Sequence, residues 1–228
     1  MGKVLGATTL GLAVVLLGSV PLVVAETLSV QLTGSDGKPV PFAVLTLPGV
    51  ESAPAPPLQG ASVDQRERRF LPHVSAISPG TEVNFPNSDD TRHHVYSFSE
   101  GNSFELKLFR ANDAPPVAFN NPGIVTLGCN IHDSMKAYLY VSTDATAVVS
   151  DARGRATLSW DGAQPATVLQ VWHPQLDAAM AVPLAAPPGA TLAVDLPLAW
   201  EDPQVSKSNA ELESLLKRFA RDANQLPQ

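Results

Sequence analysis

The chain has a single cysteine, Cys129, among its 228 residues. One thiol cannot form a disulfide within the chain, and it excludes cysteine-rich zinc modules and iron–sulfur sites that need several cysteines. Basic residues are also few, with 15 Lys and Arg against 22 Asp and Glu and a formal net charge of −7. Because no run is rich in Lys or Arg, the chain has no electrostatic footprint for nucleic acid. The hydrophobic share of 44% is nevertheless large enough to build a buried core.

The first 25 residues have the pattern of an export signal. Lys3 follows the start, residues 4–17 are almost wholly apolar, and Pro21 ends that run ahead of a stretch of small residues. These features predict a signal peptide over 1–25 that is cleaved after Ala25; an uncleaved membrane anchor is the alternative.

The mature protein would carry 14 basic and 22 acidic residues, a net charge of −8, and no later stretch apolar enough to cross a membrane. We therefore expect a protein of the periplasm that makes no membrane contact after signal removal. In such an oxidising compartment a free thiol is at risk unless a ligand occupies it.

Short segments of apolar or alternating character follow the signal at a spacing of about 8–12 residues, with turn residues between them and no helical period. This pattern is typical of an all-β sandwich or barrel. It predicts a first domain over 26–142. The strands predicted there are 28–32, 42–47, 70–77, 81–85, 95–98, 104–109, 123–127 and 137–141.

A second, smaller set of predicted strands follows over 143–203. We expect it to form its own small β-sandwich domain, in which Trp160, Trp172 and Trp200 are core anchors. The segment 149–158, followed by Val171-Trp172-His173-Pro174, resembles the carboxypeptidase-regulatory type of β-sandwich.

The tail, 204–228, is the one segment with helical periodicity. Ser208 and Glu211 have the spacing of a capping box. An amphipathic α-helix over 209–223 is therefore predicted to pack on the β body, with self-association or a partner groove as the alternative. The apolar face consists of Leu212, Leu215, Leu216, Phe219, Ala220 and Ala223.

Cys129, His132 and Met135 lie in one short segment, each separated from the next by two residues. A thiolate, an imidazole and a thioether make a soft donor set that suits copper, which must be held as both Cu(I) and Cu(II). Two intervening residues let a tight loop between strands bring Cys and His onto one metal, and two more bring the Met sulfur to an axial position. The pattern predicts a copper site that needs a third strong ligand from elsewhere.

That ligand must be one of the other four histidines. Two of them, His93 and His94, directly precede the predicted strand 95–98. His73 and His173 stand alone, and we expect them to be surface or locally hydrogen-bonded residues without a role in copper binding.

In this arrangement the chain resembles the cupredoxins, the small blue copper electron carriers, of the amicyanin and plastocyanin kind. The resemblance covers 26–142. It rests on Gly80-Thr81-x-Val83-x-Phe85-x-Asn87, on a His just before a strand, and on the Cys-x-x-His-x-x-Met loop. The chain as a whole resembles methylamine-utilisation proteins in its arrangement.

The resemblance implies a Greek-key β-sandwich with one type 1 copper per chain. The equatorial ligands would be His93, Cys129 and His132, and Met135 would be axial, because the upstream ligand of the family maps onto the first residue of His93-His94-Val95. His94 stands where the family commonly has Asn, and it is the alternative to His93. Ser134 stands where an aromatic residue precedes the Met in amicyanin.

The resemblance further implies a one-electron carrier and not an enzyme, because three strong ligands and an axial thioether leave no open position for a substrate. The expected partner is a periplasmic redox protein, such as a c-type cytochrome or a dehydrogenase, that docks transiently at the edge of His132. The acidic pair Asp89-Asp90 is expected to be a solvated loop, with steering of the partner as an alternative role. Two other functions stay open: copper binding and delivery, or a single-copper catalyst in which Met135 does not bind.

Overall fold

The computed structural model describes residues 25–51, 61–109, 114–184 and 191–202. These residues form strands, turns and loops and contain no helix, which confirms the predicted all-β class. No helix among them is long and apolar enough to span a membrane. The predicted signal peptide up to residue 24 and the predicted helix 209–223 lie outside the described residues.

The described residues contain seventeen strands, which pair into five sheets. In chain order they are β1 (Glu26–Gly34), β2 (Val44–Thr46), β3 (Ala61–Ser62), β4 (Asp64–Arg66), β5 (Arg69–Leu71), β6 (Val74–Ile77), β7 (Thr81–Asn84), β8 (His93–Ser97), β9 (Phe104–Phe109), β10 (Val117–Phe119), β11 (Gly123–Gly128), β12 (Lys136–Val141), β13 (Val148–Val149), β14 (Arg155–Trp160), β15 (Val168–Trp172), β16 (Met180–Pro183) and β17 (Thr191–Leu196).

The larger sheet of the first region has the strand order β6-β12-β11-β8-β9, and a smaller one has the order β10-β7-β3. Their inward side chains share one hydrophobic cluster, to which β7 contributes Val83, β8 contributes Val95 and β11 contributes Val125 and Leu127. Burial of apolar side chains from both sheets in one core defines a β-sandwich. Cys129 and Met135 belong to the same cluster, so the predicted metal loop closes one end of this core.

The first two strands pair with the C-terminal part of the chain. Strand β1 lies between β14, to which it is antiparallel, and β17, to which it is parallel. Strand β2 pairs with β13 and β15. Inward residues of β1, including Val30 and Leu32, lie in a second hydrophobic cluster with Leu158 of β14 and Leu196 of β17. The region predicted as a first domain, 26–142, therefore includes two strands whose partners lie in the region predicted as a second domain, 143–203.

A third, smaller hydrophobic cluster lies between β12 and the sheet that contains β2 and β15. Val44, Val74 and Trp172 are buried together, and Tyr138 and Tyr140 pack against them. The Trp172 ring centroid lies 5.9 Å from that of Tyr138 and 5.5 Å from that of Tyr140. Strand β12, which follows the metal loop, thus packs against residues of β2 and β15.

The prediction that His73 and His173 are surface or locally hydrogen-bonded residues is wrong as to the surface, because they are only 2% and 0% exposed. Both are locally hydrogen-bonded, and Nδ1 of His73 lies 3.0 Å from the carbonyl oxygen of Lys136. Nδ1 of His173 accepts a hydrogen bond of 3.1 Å from the backbone N–H of Gln175. Burial lowers the pKa of His173 to about 4; the nearby backbone carbonyl of Pro41 opposes this shift and His73 adds to it.

This pKa predicts a loss of stability in acid. The unfolded chain, with a His pKa of about 6.5, takes up the proton before the folded protein does, so the stabilisation is complete above that pH and is lost as the pH falls towards 4. Between about pH 7 and pH 4.5 the loss from this one group is on the order of 2 kcal/mol. Urea unfolding of the metal-free protein at both pH values measures it. His173→Gln should show a smaller pH-dependent loss, and an equal loss in both proteins would contradict the assignment.

Candidate metal centre

Strand β8 decides where the two neighbouring histidines point. Side chains alternate along a strand, so His93, Val95 and Ser97 share one face, and all three are 0% exposed. His94 points to the opposite face, where its ring lies 5.4 Å from that of Tyr96 and its Nε2 lies 3.0 Å from Oε1 of Glu105. The alternation thus turns His93 into the core of the sandwich and His94 away from it.

The other predicted ligands lie in the loop between β11 and β12. These strands are antiparallel, and the pair Gly128↔Lys136 is the last one before the loop. Cys129, directly after that pair, is 4% exposed, and Met135, directly before the return strand, is 0% exposed. The backbone N–H of Met135 donates a hydrogen bond of 2.9 Å to the carbonyl of His132, which folds the loop back on itself.

Three of the predicted ligands come together. One ring nitrogen of His93, one of His132 and Sγ of Cys129 all lie within 4.8 Å of one another, and this is the one such group of three or more among the described residues. The two imidazole ring centroids are 5.1 Å apart. Met135 shares the buried cluster with Cys129, and its role as an axial ligand stays a prediction.

The donor atoms fit a metal ion. Nδ1 of His93 and Nδ1 of His132 are buried and have no hydrogen-bond partner among the described residues. Buried polar atoms are normally paired, so two unpaired imidazole nitrogens beside a buried thiol indicate a bound ligand. The mixture of one thiol and two imidazoles is soft enough for copper.

The surroundings of His132 lower its pKa, which favours the neutral imidazole. Partial burial lowers the pKa of His132, and the neighbouring His93 and Arg68 lower it further, against an opposing effect of Asp89. At neutral pH its imidazole is therefore in the neutral form that a metal requires.

A glycine allows close packing beside the thiol. Gly128 pairs with Tyr96 across the sheet, and a Cβ at this position would lie 2.9 Å from the Tyr96 ring. Because Gly128 has no side chain, the phenol ring covers the strand directly next to Cys129.

Two polar residues outside the predicted ligand set organise the loop before β8. Nδ2 of Asn87 donates hydrogen bonds of 2.9 Å to the carbonyl of Thr91 and 3.1 Å to that of Phe109. Asp89 is not a solvated loop residue, because its Oδ2 lies 2.7 Å from Nε2 of His93 and its side chain is only 15% exposed. A four-residue separation predicts a side-chain contact only within a helix, so the sequence offers no signal for the contact between Asp89 and His93.

Comparisons with known proteins find partial similarity to solved structures. No protein-family model matches the chain, and no curated protein matches it. Among solved structures, the Cu-containing nitrite reductase from Thermus scotoductus is 25% identical over 40% of this chain at a TM-score of 0.35, and the chain spans only 24% of that protein. A purple cupredoxin from Nitrosopumilus maritimus is 19% identical over 36% of this chain and 99% of its own length, with a TM-score of 0.33.

A mutant form of amicyanin is 16% identical over 43% of this chain and 98% of its own length, with a TM-score of 0.35. These three solved structures each cover less than half of this chain.

Proposed function

We propose that this chain is an exported protein of the cupredoxin type that binds one copper ion and carries single electrons between redox partners in the periplasm. The observation that carries the proposal is the meeting of His93, Cys129 and His132 in one group at the end of a β-sandwich core. Met135, buried in the same cluster, is proposed as the axial ligand.

The donor set favours copper over other metals. Carboxylates are the usual ligands of magnesium, calcium and manganese, and none belongs to the group. Four thiolates or a mixed two-thiolate set would suggest structural zinc, and the chain has only one thiol. A bound copper ion would supply a reversible change between Cu(II) and Cu(I).

The burial of the ligands favours electron transfer over catalysis at the metal. His93, Cys129 and Met135 are buried, and only His132 is partly exposed. A substrate therefore has no approach to the metal from the side of the core. His93 lies on β8, and the paired strands β11 and β12 flank the loop that carries the other ligands. The positions of the ligand atoms should therefore change little between the two oxidation states, so the reorganisation energy should be small.

The exposed side of the site suggests where a partner docks. Ile131, next to His132, is 46% exposed. An apolar side chain beside the accessible ligand suits a small, transient interface of the kind that redox partners use. The whole chain carries a net charge of −7. Because opposite charges favour association, we propose a partner with a basic surface, such as a c-type cytochrome or a dehydrogenase.

Voltammetry separates a carrier from a copper-delivery protein. The copper-loaded protein should give a reversible one-electron wave and retain its copper through repeated cycles, because the buried ligand set holds both oxidation states. The zinc-loaded protein, which cannot change oxidation state, is the matched control. Irreversible cycling with release of copper would favour delivery and contradict the proposal.

A further inference from the structure

The turn between β4 and β5 presents two backbone donors to Asp89. The N–H of Glu67 donates a hydrogen bond of 2.6 Å to Oδ1 of Asp89, and the N–H of Arg68 donates one of 3.0 Å to Oδ2. Both donor residues have positive φ, 57° for Glu67 and 58° for Arg68. Residues with side chains adopt this conformation at a conformational cost, and Gly or Asn would be the usual choice here. The bonds to the carboxylate offset that cost.

The backbone of Asp89 is fixed as well. Its own N–H donates a hydrogen bond of 3.0 Å to Oδ1 of Asn87, and the Asn87 side chain holds the loop to the end of β9. Hydrogen bonds to the turn between β4 and β5 and to Asn87 therefore hold Asp89 in place beside His93.

The remaining contact of the carboxylate is with His93. Oδ2 of Asp89 lies 2.7 Å from Nε2 of His93. An ionised carboxylate can only accept hydrogen bonds, so this nitrogen must carry the proton. The lone pair of the ring then lies on Nδ1, the atom that is buried without a hydrogen-bond partner among the described residues. In metal sites, a carboxylate bonded to the far nitrogen of a histidine sets its tautomer and raises its basicity.

We propose that Asp89 is a positioning residue that holds His93 as the Nε2–H tautomer with Nδ1 free for the metal, and that its negative charge lowers the reduction potential of the site. The first part concerns the protein without metal. The second part rests on the proposed function. A negative charge one hydrogen bond away from a ligand stabilises Cu(II) more than Cu(I), because the more highly charged ion interacts more strongly with it.

The tautomer is measured without any metal. Nitrogen-15 NMR of the metal-free, unmodified protein should show the neutral imidazole ring of His93 as a single tautomer protonated at Nε2. A neutral ring that carries its proton on Nδ1, or a mixture of the two neutral tautomers, would overturn the proposal. This result stands even if the protein proves not to bind copper or if the variants fail to fold.

The charge effect is measured with a pair of variants. Asp89→Asn removes the charge and keeps an amide oxygen that can still accept from Nε2, so the midpoint potential of the copper-loaded protein should move to a more positive value. Asp90→Asn is the matched control, because it makes the same charge change one residue away at an exposed position. Equal shifts of the midpoint potential in the two variants, or no shift in Asp89→Asn with copper bound, would overturn the proposal. Failure of every variant to bind copper would instead count against the proposed function.

Discussion

Replacing Cys129 with Ser is expected to remove the intense visible absorption of the copper-loaded protein. That absorption comes from charge transfer between a thiolate sulfur and Cu(II), and the chain has no second cysteine that could take over. The variant should retain only the weak d–d bands of a copper held by imidazoles. Visible spectra of both proteins at equal copper content test the expectation.

The control is a Ser introduced elsewhere in the same loop. Asn130 follows Cys129 directly and is exposed, so Asn130→Ser should leave the colour unchanged. An intense band that survives Cys129→Ser would show that the thiolate does not bind the copper and would contradict the proposed site.

The two adjacent histidines should differ sharply when each is replaced with Ala. His93→Ala removes the imidazole that lies with Cys129 and His132, so the intense absorption should be lost. His94→Ala removes a ring on the other face of β8, where it contacts Tyr96 and Glu105, so the band should persist and at most shift. Visible spectra at equal copper content measure both effects.

Added imidazole distinguishes the loss of a ligand from a loss of folding. His93→Ala leaves a cavity at a fully buried position, and a free imidazole that enters it can restore the missing nitrogen and the colour. Loss of the band in His94→Ala together with its survival in His93→Ala would exchange the two assignments.

Much of the local structure could be predicted from the chain because strand periodicity determines which side chains are buried. The segment 81–85 was expected as an alternating strand, and β7 spans Thr81–Asn84 with Val83 buried. The segment 137–141 lies within β12. Alternation also separates His93 from His94 once β8 is known to begin at His93.

The partners of the first strands could not be predicted from alternation. The pattern of β1 requires a buried face, which the structure provides, but the same apolar residues could face any complementary sheet. Here β1 pairs with β14 and β17 in one sheet, and both strands lie more than a hundred residues away in the chain. Chain order suggested instead that 26–142 would be one body.

The metal loop could be predicted because its three residues are local in sequence. Asp89 could not, because its role depends on contacts that its own segment does not encode. Two of its donors, Glu67 and Arg68, lie on a turn more than twenty residues upstream, and neither residue type suggests the positive φ that aims its N–H at the carboxylate. The pair Asp89-Asp90 therefore looked like an ordinary acidic loop.

We propose that His93, Cys129 and His132 hold one copper ion, with the Cys129 thiolate as a ligand. The most direct test is the visible spectrum of the Cu(II)-loaded mature protein together with its copper content. We expect one copper per chain and an intense blue colour from thiolate-to-copper charge transfer. A pale protein that shows only d–d bands, or one that binds no copper, would contradict it.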